Sequence, residues 1–457
     1  MTMQLPKHIK ALAAAALISL PAVAQNTNSG YFVDDYTYRF QSNPAFANSK
    51  NFVAMPGLGN VNVAMQGNLH VRDVIYNVDG RTTTFLNPAI SVEEVMKNIS
   101  DKNRIGADVK LPVLAFGFKA FKGYNTVAVN ARASVAAQLP RSLFSLLKEG
   151  ASNTSYDLSD TRARATAYAE IALGHSHEIT KRLRVGGTLK FLVGAGDMDA
   201  RFDKATLNLG TDNWSVTSNA TLNSSVRNLR YKTAVNHHSG HTYVDGMDLD
   251  KFGMNGFGMA VDLGAAYQVI PDLEISAAIL DLGFISWNKN YLATTNGDKT
   301  FNTDRYTFSA DENADNSFKN QWDNIRDDIS AIYELEDAGE TGGRTTALGA
   351  TLNIGARYAL PVYRNLKFGL LNTTRIQGEY TYTDFRLSAN VSPLKWLDGG
   401  VNMSAGTFGV GFGWLVNIHP GCFNFFVGMD HTLGKTTKEF VPLSSNASVN
   451  LGLNFLF

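Results

Sequence analysis

The feature that most constrains this chain is a two-residue alternation of apolar and polar side chains, held over segments too long for a soluble sheet. Val127, Val129, Ala131, Ala133 and Val135 alternate with Ala128, Asn130, Arg132, Ser134 and Ala136. Leu348, Ala350, Leu352, Ile354, Ala356 and Tyr358 do the same against Gly349, Thr351, Asn353, Gly355 and Arg357. Successive side chains on a strand point to opposite faces, so each segment has one apolar face and one polar or small face. Strands of soluble sandwiches run about 5–6 residues, whereas a tilted membrane strand needs about 9–11. The segments here reach the longer value repeatedly. Short connections such as Lys122-Gly123-Tyr124, Ile270-Pro271-Asp272 and His419-Pro420-Gly421 alternate with long stretches at 77–107, 138–161, 204–256 and 288–345. Outer-membrane barrels have this asymmetry of tight periplasmic turns and long outer loops.

The spacing predicts strands near 61–76, 108–121, 125–137, 162–178, 183–203, 257–269, 273–287, 345–359, 366–376, 379–391, 397–406, 408–418, 422–433 and 446–457. The expected fold is all-β: a fourteen-stranded antiparallel transmembrane barrel, an even count that leaves both termini in the periplasm. Residues 204–228 alternate weakly and fit a strand extension above the membrane. The last strand ends on Phe457, an aromatic carboxyl terminus of the kind many outer-membrane barrels carry.

Composition agrees. Charged residues make up 18% of the chain, below the roughly 25% of soluble domains, yet no apolar run beyond the leader is long enough for a membrane helix. Lys+Arg and Asp+Glu balance at 41 each, so no basic excess points to nucleic acid. The lone Cys422 excludes a disulfide framework and any cysteine-based zinc site. Residues 1–24 read as a cleaved signal peptide: Lys7 and Lys10, an apolar run from Ala11 to Leu20, then Ala22-Val23-Ala24 before Gln25. The expected location is the Gram-negative outer membrane. Residues 61–457 would then form the barrel with its long outer loops.

Residues 25–60 precede the first predicted strand and do not alternate. They carry Tyr31-Phe32, Tyr36, Tyr38, Arg39-Phe40 and Asn43-Pro44-Ala45. An aromatic, irregular segment of this length is placed to fold inward as an N-terminal plug from the periplasmic side. On these residues, and on the strand number, the chain resembles the FadL-like superfamily of outer-membrane transporters for long-chain fatty acids and hydrophobic compounds. It is most similar to an uncharacterised family within that superfamily, sharing the early Tyr-Phe, Arg39-Phe40 before Asn43-Pro44, and Asp281 to Trp287. The resemblance implies a hatch carrying the Asn-Pro-Ala motif; the same tripeptide recurs at Asn87-Pro88-Ala89 in an outer loop.

Two outer-loop segments have helical spacing. Ser91 caps one, with Val95, Met96 and Ile99 on its apolar face; Pro140 opens the other, with Leu143, Phe144 and Leu147. They either line a greasy mouth for hydrophobic ligands or pack on neighbouring loops. His237, His238 and His241 lie near Asp245 and Asp248 without strand or helix geometry to aim them, so no metal is assigned there. His175 and His177 share one strand face near a periplasmic turn and read as interfacial. No cofactor is implied: there is no phosphate-binding loop, nucleophile elbow or zinc-protease motif, and the chain is not expected to be an enzyme.

Two strand features have consequences. In 273–287, Leu273, Ile275, Ala277 and Ile279 face one way while Leu280, Leu282 and Phe284 take the other parity. Either a bulge flips the strand near Leu280, or the strand has already left the bilayer at Asp281; the second is expected, since Asp281 lies well above the turn. On four consecutive strands the inward set contains Arg132, Glu170, Lys190 and Asp262 at similar heights, which predicts a charged belt inside the barrel. The belt is either a bracing ladder or a constriction where a cation meets a carboxylate ligand. The function expected is passive uptake of small hydrophobic molecules through a channel narrowed by the plug, with a hydrophobic ligand and outer-membrane lipid as partners. The alternative is a structural or secretion-associated barrel whose outer loops bind a surface or periplasmic protein.

Overall fold

A computed structural model describes residues 27–79, 81–149, 155–209, 214–236, 240–251, 253–295, 297–302, 334–432 and 444–457. The segment 1–24 expected as a signal peptide, His237 and His238, and residues 303–333 of the long stretch at 288–345 lie outside these residues.

The wall is a closed antiparallel barrel of fourteen strand positions. The first, β1, is in two pieces, Phe52–Ala54 and Val61–Gly67. Then follow β2 (Lys102–Ala120), β3 (Gly123–Pro140), β4 (Arg162–Thr180), β5 (Leu183–Leu209), β6 (Gly256–Ile270) and β7 (Leu273–Thr294). β8 is again in two pieces, Glu336–Ala347 and Ala350–Ala359. The circuit continues through β9 (Leu366–Ile376), β10 (Tyr382–Leu394), β11 (Leu397–Gly406), β12 (Gly409–Ile418), β13 (Phe423–Met429) and β14 (Ala447–Leu456). β14 closes on both pieces of β1, pairing Asn62 with Asn450 and Phe52 with Leu456.

Side-chain alternation puts apolar groups on the outside. Leu263, Ile275, Ile354, Leu370, Leu387 and Met403 are exposed, while Asn130, Asn353, Asn402 and Asn450 on the opposite parity are buried. A barrel that exposes aliphatic groups and buries amides needs lipid around it. No described helix is long and apolar enough to cross a membrane. Aromatic side chains crowd the short-turn rim, where Phe121, Trp396, Phe423 and Phe457 are exposed, the level at which aromatic girdles sit.

Three departures from the sequence reading concern boundaries. Phe52–Ala54 already pairs with β14 and β2, so the wall begins inside the segment 25–60. At the other end β1 stops at Gly67, because His70 starts a helical turn, Val71–Val74, in place of the strand expected to reach 76. The weak alternation after 204 belongs to real strand: β5 runs 27 residues, far beyond the roughly 9–11 a bilayer needs. Above β6 its neighbour is a collinear piece, Trp214–Val226, which pairs with β5 and β7; the hairpin of Leu229–Val235 and Thr242–Leu249 is inserted between that piece and β6. The wall is therefore much taller from β5 to β8 than from β11 to β14.

Candidate functional site: the barrel interior

The inward faces of β3 to β7 hold a connected ion-pair network. Arg132 Nη1 donates to Glu170 Oε2 at 3.0 Å and to Asp281 Oδ1 at 2.9 Å. Lys190 Nζ lies 2.6 Å from Asp281 Oδ1, 2.7 Å from Asp262 Oδ2 and 4.0 Å from Glu170 Oε2. The four residues of the expected belt thus stand in one cluster. They are not level, however. Glu170 pairs across the strands with Asn130, Lys190 with Ala172, and Asp262 with Thr188. Each member is therefore offset by two residues, about 7 Å, from its neighbour, as barrel shear requires. The long Arg and Lys side chains bridge that offset.

Two members were not anticipated. Lys110 on β2 sits directly across from Arg132, is buried, and interacts electrostatically with Glu170, Arg132, Lys190 and Asp281. Asp281 enters through a bulge. Val261 pairs with Leu282 but Leu263 pairs with Ile279, so two residues, Leu280 and Asp281, stand opposite Asp262. Asp281 takes a left-handed φ of 57°, a conformation that short polar side chains tolerate best. Its amide donates to Asp262 Oδ1 at 2.7 Å, and Leu280 and Asp281 are both buried. Of the two alternatives at this point the structure shows the bulge: β7 stays paired and the bulge turns the carboxylate inward, to Arg132 and Lys190. The parity break at Leu280 was the sequence signal.

Beyond the bulge the wall's inner face carries an apolar patch. Leu192, Ala260, Ile285 and Trp287 form a buried cluster with Tyr168 and Leu348. Trp287 donates from its indole nitrogen to Thr346 Oγ1 at 2.8 Å, and the Arg132 guanidinium lies 5.5 Å from the Tyr168 ring centre.

Residues 27–51 form no wall strand, and most of their side chains are buried against inward residues of the wall, with Ser49 and Lys50 exposed. The backbone amides of Asn28 and Ser29 donate to the Asp430 carboxylate at 2.9 and 2.6 Å. Thr37 Oγ1 donates to Asn424, and the hydroxyls of Tyr36 and Tyr38 donate to Asn450 and Asn454. Opposite, Tyr31 shares a hydrogen bond with Ser276, and Asn353 Nδ2 donates to the Ser42 carbonyl. Asp34 is held by Arg357 at 2.7 Å and by Lys367. Arg39 donates to the carbonyls of Tyr31 and Asp34 and stacks over the Phe46 ring.

The Asn43-Pro44-Ala45 motif is a close-packed joint. Asn43 Oδ1 accepts from the Ala45 amide at 3.0 Å, a local turn, while its Nδ2 donates to the carbonyls of Ala265 and Ala277 on two neighbouring strands. Asn87 makes the same local turn, accepting from the Ala89 amide at 2.9 Å. The tripeptide therefore encodes a turn, and the wall supplies its meaning. Two glycines make the room: a β-carbon on Gly264 would lie 2.1 Å from Asn43 Oδ1, and one on Gly186 would lie 2.1 Å from the Pro44 oxygen.

The outer-loop helices α1 (Val92–Met96) and α2 (Arg141–Glu149) close on each other. Val95, Ile99 and Phe144 are buried in one cluster with Leu69, Val74, Phe85 and Ile90, against which Met96, Leu139 and Leu147 pack; Leu143 is half-buried. Their apolar faces form a small core in place of the open greasy mouth. His175 and His177 stack at 5.8 Å near the short-turn rim, with His175 exposed.

Family comparison matches residues 44–430 to a family of unknown function, DUF5723. The sequence matches no curated protein. Among solved structures, the toluene transporter TodX of Pseudomonas putida is 8% identical, with 97% of this chain and 95% of that chain covered and a TM-score of 0.38. The translocator domain of the autotransporter NalP from Neisseria meningitidis is 8% identical, with 90% and 89% covered and a TM-score of 0.32.

Proposed function

We propose that this chain, which belongs to the family of unknown function DUF5723, is an outer-membrane channel for passive uptake of small hydrophobic molecules, with residues 27–51 as a plug. The observation that carries the reading is how that segment is held. Among the described residues, each bond between residues 27–50 and the wall involves a side chain, with one salt-bridged anchor, Asp34 with Arg357 and Lys367; backbone pairing starts at Asn51, which exchanges hydrogen bonds with Phe457. Residues 27–50 are not paired into the sheet, so they can yield without breaking a strand. The substrate gradient supplies the driving force.

The belt of Arg132, Glu170, Lys190 and Asp262 is read as a brace. With Lys110 and Asp281 included, three cations face three carboxylates, and no net positive charge is left for an anionic headgroup. Neutral solutes are therefore the favoured cargo.

The test is solute flux into liposomes carrying the full chain or a chain lacking residues 27–50, which spares the wall strand at Phe52. The full chain should pass small aromatic hydrocarbons faster than protein-free liposomes. The shortened chain should also leak small sugars. No flux from either form would overturn the reading. The tall wall from β5 to β8 and its inserted hairpin favour the second reading, a platform for a protein partner, which would survive that result.

A further inference from the structure

We infer a divalent transition-metal site, best suited to zinc, at the joint between the N-terminal segment and the short-turn rim, formed by Asp35, Asp398 and His419. One donor atom from each of the three lies within 4.8 Å of the others. Asp398 is the second residue of β11 and His419 follows the last residue of β12, so both are fixed by a strand pair in register, Asp398 opposite Asn417. Asp35 belongs to the N-terminal segment.

The donor chemistry is specific. One imidazole with two carboxylates suits zinc and its first-row neighbours; calcium and magnesium prefer all-oxygen shells of six or more ligands. Zinc bonds to nitrogen and oxygen of about 2.0–2.2 Å in a tetrahedral shell place donors about 3.3–3.6 Å apart, so donors spread over 4.8 Å must close in by about 1.2–1.5 Å. Asp35 can supply this movement, since its carboxylate is half-buried at the rim and, among the described residues, accepts a hydrogen bond from the exposed Ser49 Oγ at 2.8 Å. His419 Nε2 and Asp398 Oδ2, hydrogen-bonded at 2.6 Å, would part to admit the ion. Three protein donors leave a fourth position for water.

The surroundings are those of a supported site. Asp398 and His419 are 2% and 5% exposed at a rim that faces water, an arrangement that costs desolvation unless the charges have a use. Asn417 Nδ2 donates both to Asp398 Oδ2 at 3.3 Å and to the Asp35 backbone carbonyl at 3.0 Å, orienting one ligand and delivering the other. Bound metal would tie the segment to β11 and β12 with coordinate bonds in place of a weak rim contact. Binding at the three residues does not depend on the channel reading; only its consequence for a plug does.

The experiment uses the full chain in detergent, stripped with chelator and titrated with zinc chloride by calorimetry. One zinc per chain is expected, with affinity falling tenfold or more in Asp35→Asn, which leaves the buried wall pair intact, and vanishing in His419→Gln. Exchange of the amides from Tyr31 to Lys50 should slow with zinc in the parent chain and stay unchanged in Asp35→Asn. Replacing His175 and His177, or His237, His238 and His241, by alanine should leave the affinity as it was. Zinc binding that Asp35→Asn does not weaken, that only those other histidines control, or that is absent at 0.1 mM zinc (about the weakest affinity a specific site would show) would overturn the assignment.

Discussion

Asp281 is the residue whose change should most disturb the barrel. Asp281→Asn removes one of the three carboxylates that balance Lys110, Arg132 and Lys190, and leaves a buried excess of one positive charge. Asparagine keeps the left-handed backbone accessible and still accepts hydrogen bonds, so the loss is electrostatic. Removing one partner of a buried ion pair costs about 3–5 kcal/mol; the retained hydrogen bonding puts this case near about 3 kcal/mol. At about 1.4 kcal/mol per tenfold, the folded-to-unfolded ratio falls on the order of a hundredfold. Asp281→Ala should lose about 1–2 kcal/mol more from backbone strain. Urea-dependent folding into lipid vesicles, followed by heat-modifiable electrophoretic mobility, reads both. Adding Arg132→Met to Asp281→Asn restores the balance, and the double variant should be more stable than the summed single losses by about 1–3 kcal/mol. A single loss below about 0.5 kcal/mol, or strict additivity, would refute the network as a buried unit.

Gly264→Ala should unseat the segment from the wall, because the new methyl would meet Asn43 Oδ1 at 2.1 Å and Pro44 at 2.9 Å; faster tryptic cleavage at Arg39 with unchanged barrel mobility is the expected result. Phe144→Ala should cost the outer cluster about 3–5 kcal/mol and speed amide exchange in α1 and α2 while the strands stay protected. His70 carries a pH dependence: burial pulls it below its ordinary value against the attraction of Asp73, and its Nδ1 accepts from the Ser445 amide at 3.1 Å. The neutral ring is the folded form, so this contact is fully present above the unfolded value near pH 6.5 and weakens as pH falls from there. Exchange at Ser445, corrected for intrinsic rates, should be faster at pH 5.5 than at pH 7.5 (about one unit either side of the ordinary histidine value) in the parent, and pH-independent in His70→Gln.

The fold was legible because a barrel writes one bit per residue. Alternation over more than about nine residues gave the strands, and the turn spacing gave their number; the inward parity also picked out Arg132, Glu170, Lys190 and Asp262. Boundaries were less legible where a strand is broken. Phe52–Ala54 is three residues long, too short for periodicity to register, and β1 ends at Gly67 although the apolar parity of Val61, Val63 and Met65 runs on through Leu69 and Val71. Parity also has a blind spot at a bulge, where one extra residue exchanges the faces. Asp281 then reads as lipid-facing until its φ is known, although the break at Leu280 signals that something must give.

The joints between the segment and the wall were illegible for a different reason. Asp34 with Arg357 and Lys367, or Asn43 with Ala265 and Ala277, lie more than two hundred residues apart in sequence, and no local pattern links them. Periodicity reports which face a side chain takes, never what it meets there. The small residues of the wall come nearest to a signal. Gly186 and Gly264 occur at inward positions of long strands, where a glycine weakens the strand and often marks the close approach of other backbone. In this barrel both glycines are paired directly, one on β5 and one on β6, so together they mark a single depression in the wall, into which the Asn-Pro-Ala turn fits.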